Sequence, residues 1–191
     1  MRGNIFGGDM DVIEAIKTRR SVRRFTGDSI PDEVMNDIIE AVQWAPSWAN
    51  TQCWEVIVVK DQDLKGRIAG EIMKGNPASK GVMACPVVLV MLAVEGLAGF
   101  YNGEAISDKG DWYMYDIGIA MQNVTLAAWR HGLGTVHVGA MDAPGLEKLL
   151  DVPEGRRVVS LTPLGYPEKV GPAPPRKDIS EFVFTDRYGN K

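Results

Sequence analysis

Apolar residues recur at helical spacing in two long stretches of the chain, residues 29–46 and residues 111–135. In both stretches the apolar positions follow each other every three or four residues, which places them on one face of a helix. Each pattern therefore predicts an amphipathic helix that packs this face against a core. The apolar stripe comprises Val34, Ile38, Val42 and Ala45 in the first stretch and Ile117, Met121, Val124 and Ala128 in the second.

Shorter patterns predict the remaining elements. β-Branched or continuous apolar runs predict strands, and mixed runs between turn formers predict further helices. Residues 95–110 lack such periodicity and contain four glycines, so we expect a long loop of the kind that serves as a lid or binding element. The predicted helices are 10–19, 61–74 and 143–152, and the predicted strands are 54–60, 86–94, 135–139 and 157–167.

The order of these elements predicts a single domain over residues 1–191, of the α+β or α/β class with one central sheet. A length of 191 residues and a hydrophobic content of 45% are enough for one substantial core. The tail beyond residue 168 is rich in proline and then apolar, so it cannot fold by itself. We expect it to lie along another surface, in this subunit or in a neighbour.

Composition and charge argue against several classes of protein. A net charge of −4 disfavours a general nucleic-acid binder. Two cysteines, Cys53 and Cys85, are too few for a disulfide framework and indicate a reducing compartment. The longest apolar run, residues 86–94, is too short to span a bilayer, and the first ten residues lack the apolar run of a signal peptide. We therefore expect a cytoplasmic protein that binds neither nucleic acid nor membrane.

One stretch, "KTRRSVRR", departs from the acidic average because it holds five cations in eight residues. In an extended backbone Arg19, Ser21 and Arg23 share one side, where two guanidinium groups and a hydroxyl suit a phosphate. Arg20 and Arg24 then face the other way unless the backbone turns. A solvated basic face is the alternative interpretation.

Three further segments contain groups that could contact a ligand. "PPRK", residues 174–177, is a second cationic spot. Residues 45–54 include Asn50 and Gln52, whose amides donate and accept at once and so suit the edge of a heteroaromatic ring. An ordinary helix-to-strand loop is the alternative. Gly139, at a strand exit, lets the backbone approach a flat ligand closely.

The sequence lacks the familiar motifs of enzymes that bind nucleotides or catalyse a reaction with their own side chains or a metal. It has no GxGxxG, P-loop or GxSxG motif. Its two histidines, His131 and His137, have no nearby cysteine or paired carboxylate with which to hold a metal. A cofactor enzyme needs no such motif, because the cofactor brings the reactive atom.

Five separated segments, in this order, resemble those of FMN-dependent nitroreductases: "RRSVRRF", "APSWANTQCW", "DIGIAMQNVTLAAWRHGLGT", "PLGYP" and "PPRK". The resemblance covers residues 10–185, and within it residues 95–115 correspond to a variable lid or substrate region. It implies an α+β, nitroreductase-like fold with a central, mainly antiparallel sheet flanked by helices. It also implies a homodimer that binds FMN between its subunits, with the C-terminal tail extending onto the partner.

The resemblance also assigns residues to the cofactor. The arginine segment holds the phosphate, the ribityl chain and the pyrimidine edge, and the C-terminal cations add a phosphate ligand. The amides lie near the flavin, with Gln52 reaching the partner subunit's FMN, and the strand exit faces the reactive ring edge. The cofactor-binding residues so implied are Arg19, Arg20, Ser21, Arg23, Asn50, Gln52, Val138, Gly139, Ala140, Arg176 and Lys177. No metal and no catalytic side chain is implied.

The implied reaction passes a hydride from NADH or NADPH through FMN to a small-molecule acceptor, such as a nitroaromatic or a quinone, in ping-pong order. Three alternatives stay open: another flavin reaction on the same fold (reductive dehalogenation or flavin cleavage), a non-catalytic flavin-binding protein, and a phosphate-anchored interaction module without flavin. Cys53, interpreted as structural, replaces the proline of the family's "NxQPW", and Trp48 replaces a residue that is often small. Tyr101, Trp112 and Tyr113 are candidates for lining the substrate site, although core packing explains them equally well.

Overall fold

A four-stranded antiparallel sheet lies at the centre of the fold. The computed structural model describes residues 10–191. The strands are β1 (Trp54–Val59), β2 (Val87–Val94), β3 (Phe100–Tyr101), β4 (Glu104–Ala105), β5 (Gly134–Thr135) and β6 (Arg156–Gly165). The central sheet has the order β1-β2-β6-β5, with every neighbouring pair antiparallel, and β3 and β4 form a separate hairpin.

Helices cover both faces of this sheet. They are α1 (Val12–Thr18), α2 (Asp32–Gln43), α3 (Gln62–Gly70), α4 (Ala78–Ala84), α5 (Tyr113–Arg130) and α6 (Ala143–Leu149), with short 3₁₀ turns at Trp48–Asn50 and Ile179–Glu181. The chain is therefore α+β with an antiparallel sheet, as predicted. Within residues 10–191 no helix is both long and apolar enough to cross a membrane.

Strand β2 is buried on both faces, which explains its continuous apolar sequence. Because side chains alternate along a strand, Val88 and Val90 pack with residues of α3, α4 and α6, whereas Leu89 and Met91 pack with residues of α2 and α5. The result is a three-layer arrangement with a hydrophobic cluster on each side of the sheet.

Helix α5 confirms the longest predicted stripe, since Ile117, Met121, Val124 and Ala128 are all buried, and it packs against α2. The helix ends at a left-handed glycine, Gly132, with φ of 73°. The Gly132 N–H donates to the carbonyl of Trp129 (3.0 Å), and the Leu133 N–H donates to the carbonyl of Ala128 (2.9 Å). This pair of hydrogen bonds is a Schellman motif, which needs a residue with positive φ.

Four features differ from the sequence-based prediction. Helix α4 was not predicted, because only Ala78, Gly81 and Val82 of its seven residues are buried and the pattern is too short to recognise. The expected strand 135–139 is regular only to Thr135. The expected loop at 95–110 contains the β3–β4 hairpin.

The fourth difference concerns α1, whose helical character is confirmed but whose apolar side chains are not in a core. Val12, Ile13 and Ile16 are exposed, and Ala15 alone is buried. The first nine residues of the predicted domain lie outside the described part of the chain. The apolar face of α1 therefore has no cover within residues 10–191.

Candidate functional site

The arginine segment runs along one edge of the sheet. The Val22 N–H donates to the carbonyl of Thr135 (2.8 Å) in β5, and the Thr26 N–H donates to the carbonyl of Tyr166 (3.0 Å) just after β6. Val22 and Phe25 are buried beneath the segment. This backbone pairing decides which arginine side chains face the same side.

Arg19, Ser21 and Arg23 line one pocket of about 210 Å³, as the alternation of an extended backbone predicts. Its other walls come from α5, β5 and the residues just after β5. Guanidinium, hydroxyl, amide and imidazole groups together suit an anion that also carries polar atoms. These walls consist of Gln122, Thr125, Thr135, Val136 and His137.

Arg20 has a different position from its neighbours. Its Nη1 donates to the carbonyl oxygens of Lys17 (2.9 Å), Thr18 (2.9 Å) and Arg19 (2.8 Å) at the end of α1. Carbonyls in the last turn of a helix lack intrahelical partners, so this guanidinium satisfies them and complements the helix dipole. Arg20 does not line the pocket.

Arg176 in the C-terminal tail lies close to the pocket of the same chain. Burial lowers the pKa of Arg19, and the positive charges of Arg176 and then Arg20 lower it further. Arg176 and the adjacent Lys177 are exposed. Guanidinium groups this close repel one another, and an anion bound among them removes that repulsion. The positive charge of Arg176 in the C-terminal tail therefore acts on the arginine segment near the start of the chain.

A network of hydroxyl groups holds the imidazole of His137. Its Nε2 lies 3.0 Å from Oγ1 of Thr125, and its Nδ1 lies 3.1 Å from Oγ1 of Thr162. Thr125 donates its own proton to the carbonyl of Met121 (3.0 Å), so it accepts from Nε2–H, and Nδ1 accepts from Thr162. Loss of water around the ring and the charge of Arg19 lower the pKa of His137 to about 4. The ring is therefore neutral near pH 7.

The loop before β1 has an unusual backbone conformation. Ala49, Asn50 and Gln52 have positive φ angles of 45°, 58° and 48°. Each such non-glycine residue costs roughly 1–3 kcal/mol, and strain of this kind concentrates at functional sites. The loop exposes the two amide side chains, with Gln52 Nε2 donating to Asn50 Oδ1 (3.4 Å). Together with Trp44 they line a second pocket, of about 310 Å³.

Two acceptors hold this loop in place. The Gln52 N–H donates to Oγ of Ser47 (2.9 Å), and the Trp48 N–H donates to Oδ2 of Asp116 (3.0 Å) in the first turn of α5. The thiol of Cys53 also lies against that Asp116 oxygen (3.7 Å). Burial, followed by the charge of Asp116, raises the pKa of Cys53 to about 12, so this thiol is packed and unreactive.

The strand exit continues from the first pocket. Val138 is buried and exchanges backbone hydrogen bonds with Leu161 (2.8 and 3.0 Å). Gly139 and Ala140 are exposed, and a Cβ added at Gly139 would meet no neighbour within 4 Å. The carbonyl of Ala140 accepts from the Met73 N–H (3.0 Å). The backbone at Gly139 is therefore open to a ligand beside the pocket.

Residues 95–115 form a folded element rather than an open loop. Trp112 donates from Nε1 to Oγ of Ser107 (3.1 Å), and a Cβ added at Gly99 would lie 2.4 Å from the Trp112 ring. Trp112 therefore packs under the hairpin, and Tyr113 packs against the core beside α2. Tyr101 is the one exposed member of the three aromatic candidates.

Buried polar atoms test whether a flavin nucleotide fits this site. In the described part of the chain, three buried side-chain atoms lack a hydrogen-bond partner: Arg19 Nε, Arg20 Nε and Thr51 Oγ1. All three belong to the two segments that the sequence relates to FMN, and unpaired buried polar atoms are rare in proteins. The exposed donors nearby match a phosphate and a heteroaromatic edge. The residues therefore fit FMN, whereas residues 10–191 contain no group of three or more His, Cys, Asp or Glu residues placed to hold a metal ion.

Several residues of the site were not found from the sequence. Gln122 and Thr125 interrupt the apolar pattern of α5, which was the one available signal. Asp116 and His137 gave no signal, because their partners are distant in the chain: Asp116 contacts Trp48, and His137 contacts Thr162. Such groups are recognisable only once the fold has brought their partners together.

Known proteins resemble this chain over most of its length. The model of the nitroreductase family matches residues 16–166. FMN reductase (NAD(P)H) of Bacillus subtilis is 33% identical, with 95% of this chain and 76% of that protein aligned. Iodotyrosine deiodinase 1 of Sus scrofa is 30% identical, with 90% and 67% aligned. The crystal structure of a nitroreductase family protein from Clostridium novyi NT has a TM-score of 0.75 and 33% identity, covering 95% of this chain and 96% of its own.

The chain is an α+β protein with an antiparallel sheet and a polar, cationic pocket at the edge of that sheet. The family match makes this assignment specific: the chain belongs to the nitroreductase family and has its fold. The resemblance stated from the five sequence segments is thereby confirmed.

Proposed function

We propose that this chain, an FMN-dependent NAD(P)H oxidoreductase by family, reduces a small electron-poor acceptor such as a nitroaromatic or a quinone. The observation that carries the proposal is that Arg19, Ser21 and Arg23 line one polar pocket, while the positive charge of Arg176 acts on Arg19. A phosphate bound there satisfies several charge-assisted hydrogen bonds at once. The exposed backbone at Gly139 and Ala140 beside the pocket leaves space for the rest of a flavin nucleotide.

Each group has a definable task in this proposal. When bound, FMN would supply the redox chemistry, a hydride transfer from NADH or NADPH followed by reduction of the acceptor in ping-pong order. Arg19, Ser21 and Arg23 bind the phosphate and neighbouring polar atoms, with Arg176 and Lys177 closing the site from the tail. Arg20 supports the segment by capping α1, and its buried Nε has no hydrogen-bond partner among the described residues.

The ring end of the ligand is assigned to uncharged groups. Asn50 and Gln52 offer amides that donate and accept, and the backbone of Val138, Gly139 and Ala140 offers a flat, open edge. No charged side chain is needed at this end.

A homodimer is part of the proposal. The tail has apolar side chains without cover in the described chain, with Ile179 and Phe182 exposed by 70% and 59%. The exposed face of α1 formed by Val12, Ile13 and Ile16 has the same character. Apolar surface of this extent favours association. A second copy would cover both regions and could bring Gln52 to the partner subunit's FMN.

Reductive dehalogenation is the second candidate, since 30% identity extends to an iodotyrosine deiodinase. Both candidates use the same cofactor site and differ in the acceptor. The hairpin that carries Tyr101 and the second pocket beside Trp44 are the surfaces that would distinguish acceptors.

Anaerobic mixing experiments test the function. FMN-loaded protein is first mixed with NADH or NADPH, and then, separately, with nitrofurazone, benzoquinone or an iodotyrosine. We expect the visible flavin band to bleach with a nicotinamide donor and to return faster with nitrofurazone or benzoquinone than with iodotyrosine. If the flavin band returns with iodotyrosine alone, the reaction is dehalogenation. If neither donor bleaches the band, the protein is not an NAD(P)H oxidoreductase. Free FMN without protein provides the control rate.

A further inference from the structure

We infer that Asp116 is a positioning residue, whose buried carboxylate holds the loop that presents Asn50 and Gln52. The geometric part of this inference concerns the chain alone, and its consequence for the cofactor rests on the proposed function. Asp116 belongs to neither pocket and touches no ligand position directly. It acts through the Trp48 N–H, the hydrogen bond that ties the loop to α5.

A carboxylate that is only 1% exposed requires compensation. Three groups provide it: the Trp48 N–H at 3.0 Å, the Cys53 thiol at 3.7 Å and the first turn of α5, where the helix dipole favours negative charge. Two of the three belong to the loop or its junction with β1. Most of the groups that stabilise the buried carboxylate therefore belong to this loop and not to the helix that carries Asp116.

The loop needs such an anchor because its own conformation is unfavourable. Three of its residues are left-handed, and Thr51 Oγ1 is buried without a partner among the described residues. A strained conformation of this kind persists only where contacts with the surrounding structure hold it in place. The second anchor, Ser47 Oγ with the Gln52 N–H, lies within the loop and cannot fix it to the rest of the protein. Asp116 supplies that fixed point.

Loss of the anchor should therefore release the strain and move both amides. Asp116→Ala removes the acceptor, whereas Asp116→Asn keeps one oxygen, which can still accept from the Trp48 N–H and lie against the Cys53 thiol. Asp61→Ala is the matched control, because Asp61 also accepts one backbone N–H (Leu64, 2.7 Å) but caps α3.

The first measurement is hydrogen–deuterium exchange of the peptide covering residues 45–54, in the absence of added FMN. In Asp116→Ala we expect exchange about tenfold faster than in the wild type, while Asp116→Asn and Asp61→Ala stay within about twofold. Unchanged exchange in Asp116→Ala would overturn the positioning role whether or not the protein binds FMN. If Asp116→Ala does not fold, Asp116→Leu replaces it, because leucine has nearly the same shape as aspartate but no acceptor. Exchange of this peptide should again be faster than in the wild type, and unchanged exchange in Asp116→Leu would overturn the positioning role.

The second measurement is FMN binding, followed by flavin fluorescence and by the position of the visible band. We expect Asp116→Ala to weaken binding about tenfold and to shift the band, with Asp116→Asn restoring both. A freed loop with wild-type binding and band would overturn the link to the cofactor. Failure of the wild type to bind FMN would overturn the proposed function instead, and the exchange measurement would still decide the role of Asp116.

Discussion

Arg23 and Arg24 are neighbours in the chain with opposite surroundings. Arg23 faces the pocket shared with Arg19, whereas Arg24 is exposed outside it and its backbone carbonyl accepts from the Glu168 N–H (3.1 Å). The distinction follows from the extended backbone, in which successive side chains alternate. Identical residue types therefore have different expected roles, which can be measured separately.

Arg23→Ala should weaken FMN binding, because it removes a charge-assisted contact to the phosphate. Such a contact contributes roughly 1.5–3 kcal/mol, which corresponds to about a 10- to 100-fold higher dissociation constant. Arg24→Ala is the matched control, since it deletes the same charge outside the pocket and should change the constant less than about threefold. Titration of the flavin fluorescence measures both, and equal effects of the two substitutions would mean that only the overall charge matters.

His137 gives a prediction on stability rather than binding. Its pKa is about 4 in the fold and near 6.5 when unfolded, so the unfolded chain binds more protons between these values. The contribution of His137 is present above pH 6.5 and is lost as the pH falls toward 4. Because the residue is partly open to solvent, we expect a loss of only roughly 1–2 kcal/mol.

His137→Gln should abolish this pH dependence, because an amide does not titrate in this range. Urea unfolding without FMN, at about pH 7 and about pH 4.5, compares the two proteins. Relative to the variant, the wild type should have a lower free energy of unfolding at about pH 4.5 than at about pH 7. A constant difference across this range would mean that His137 titrates alike in the folded and unfolded states.

Among the elements, the ones predicted correctly have long or one-sided patterns. Helix α5 and strand β2 could be read from the sequence, because a stripe of buried residues or a continuous apolar run determines each one. Helix α4 could not, since seven residues give too little periodicity. A strand was predicted at 135–139, but the extent of β5 could not be predicted, since its two residues are defined by pairing with β6. The arginine side of the site was predictable from spacing, whereas the Asp116 and His137 contacts depend on tertiary structure.

The contact between β5 and the arginine segment gives a prediction at this scale. A Cβ added at Gly134 would lie 2.4 and 2.6 Å from atoms of the buried Val22 side chain. Gly134→Ala should therefore push the segment from the sheet edge, lowering the free energy of unfolding by roughly 1–3 kcal/mol and weakening FMN binding.

Gly118→Ala provides the comparison, because Gly118 is exposed on α5 with no neighbour within 4 Å of an added Cβ. It should raise the free energy of unfolding by about 0.5–1 kcal/mol, as alanine favours helix. Chemical denaturation measures both variants. A neutral Gly134→Ala would show that the segment is not held tightly against β5.

At the scale of the whole molecule, the proposed dimer explains the exposed apolar tail and the exposed face of α1. The double substitution Ile179→Asp and Phe182→Asp should shift the protein from dimer to monomer in light scattering, because charges replace apolar contacts. Met83→Asp, at an exposed apolar position on α4, should leave the dimer intact. An unchanged dimer in the double variant would place the interface elsewhere.

The central claim is that cations from both ends of this chain hold one FMN. The most direct measurement is the visible spectrum of the protein incubated with FMN and then dialysed, for the wild type and for Arg23→Ala combined with Arg176→Ala. We expect the wild type to retain the flavin bands through dialysis and the double variant to lose them while staying folded. A wild type that emerges colourless, or a double variant that keeps its flavin equally well, would contradict the account.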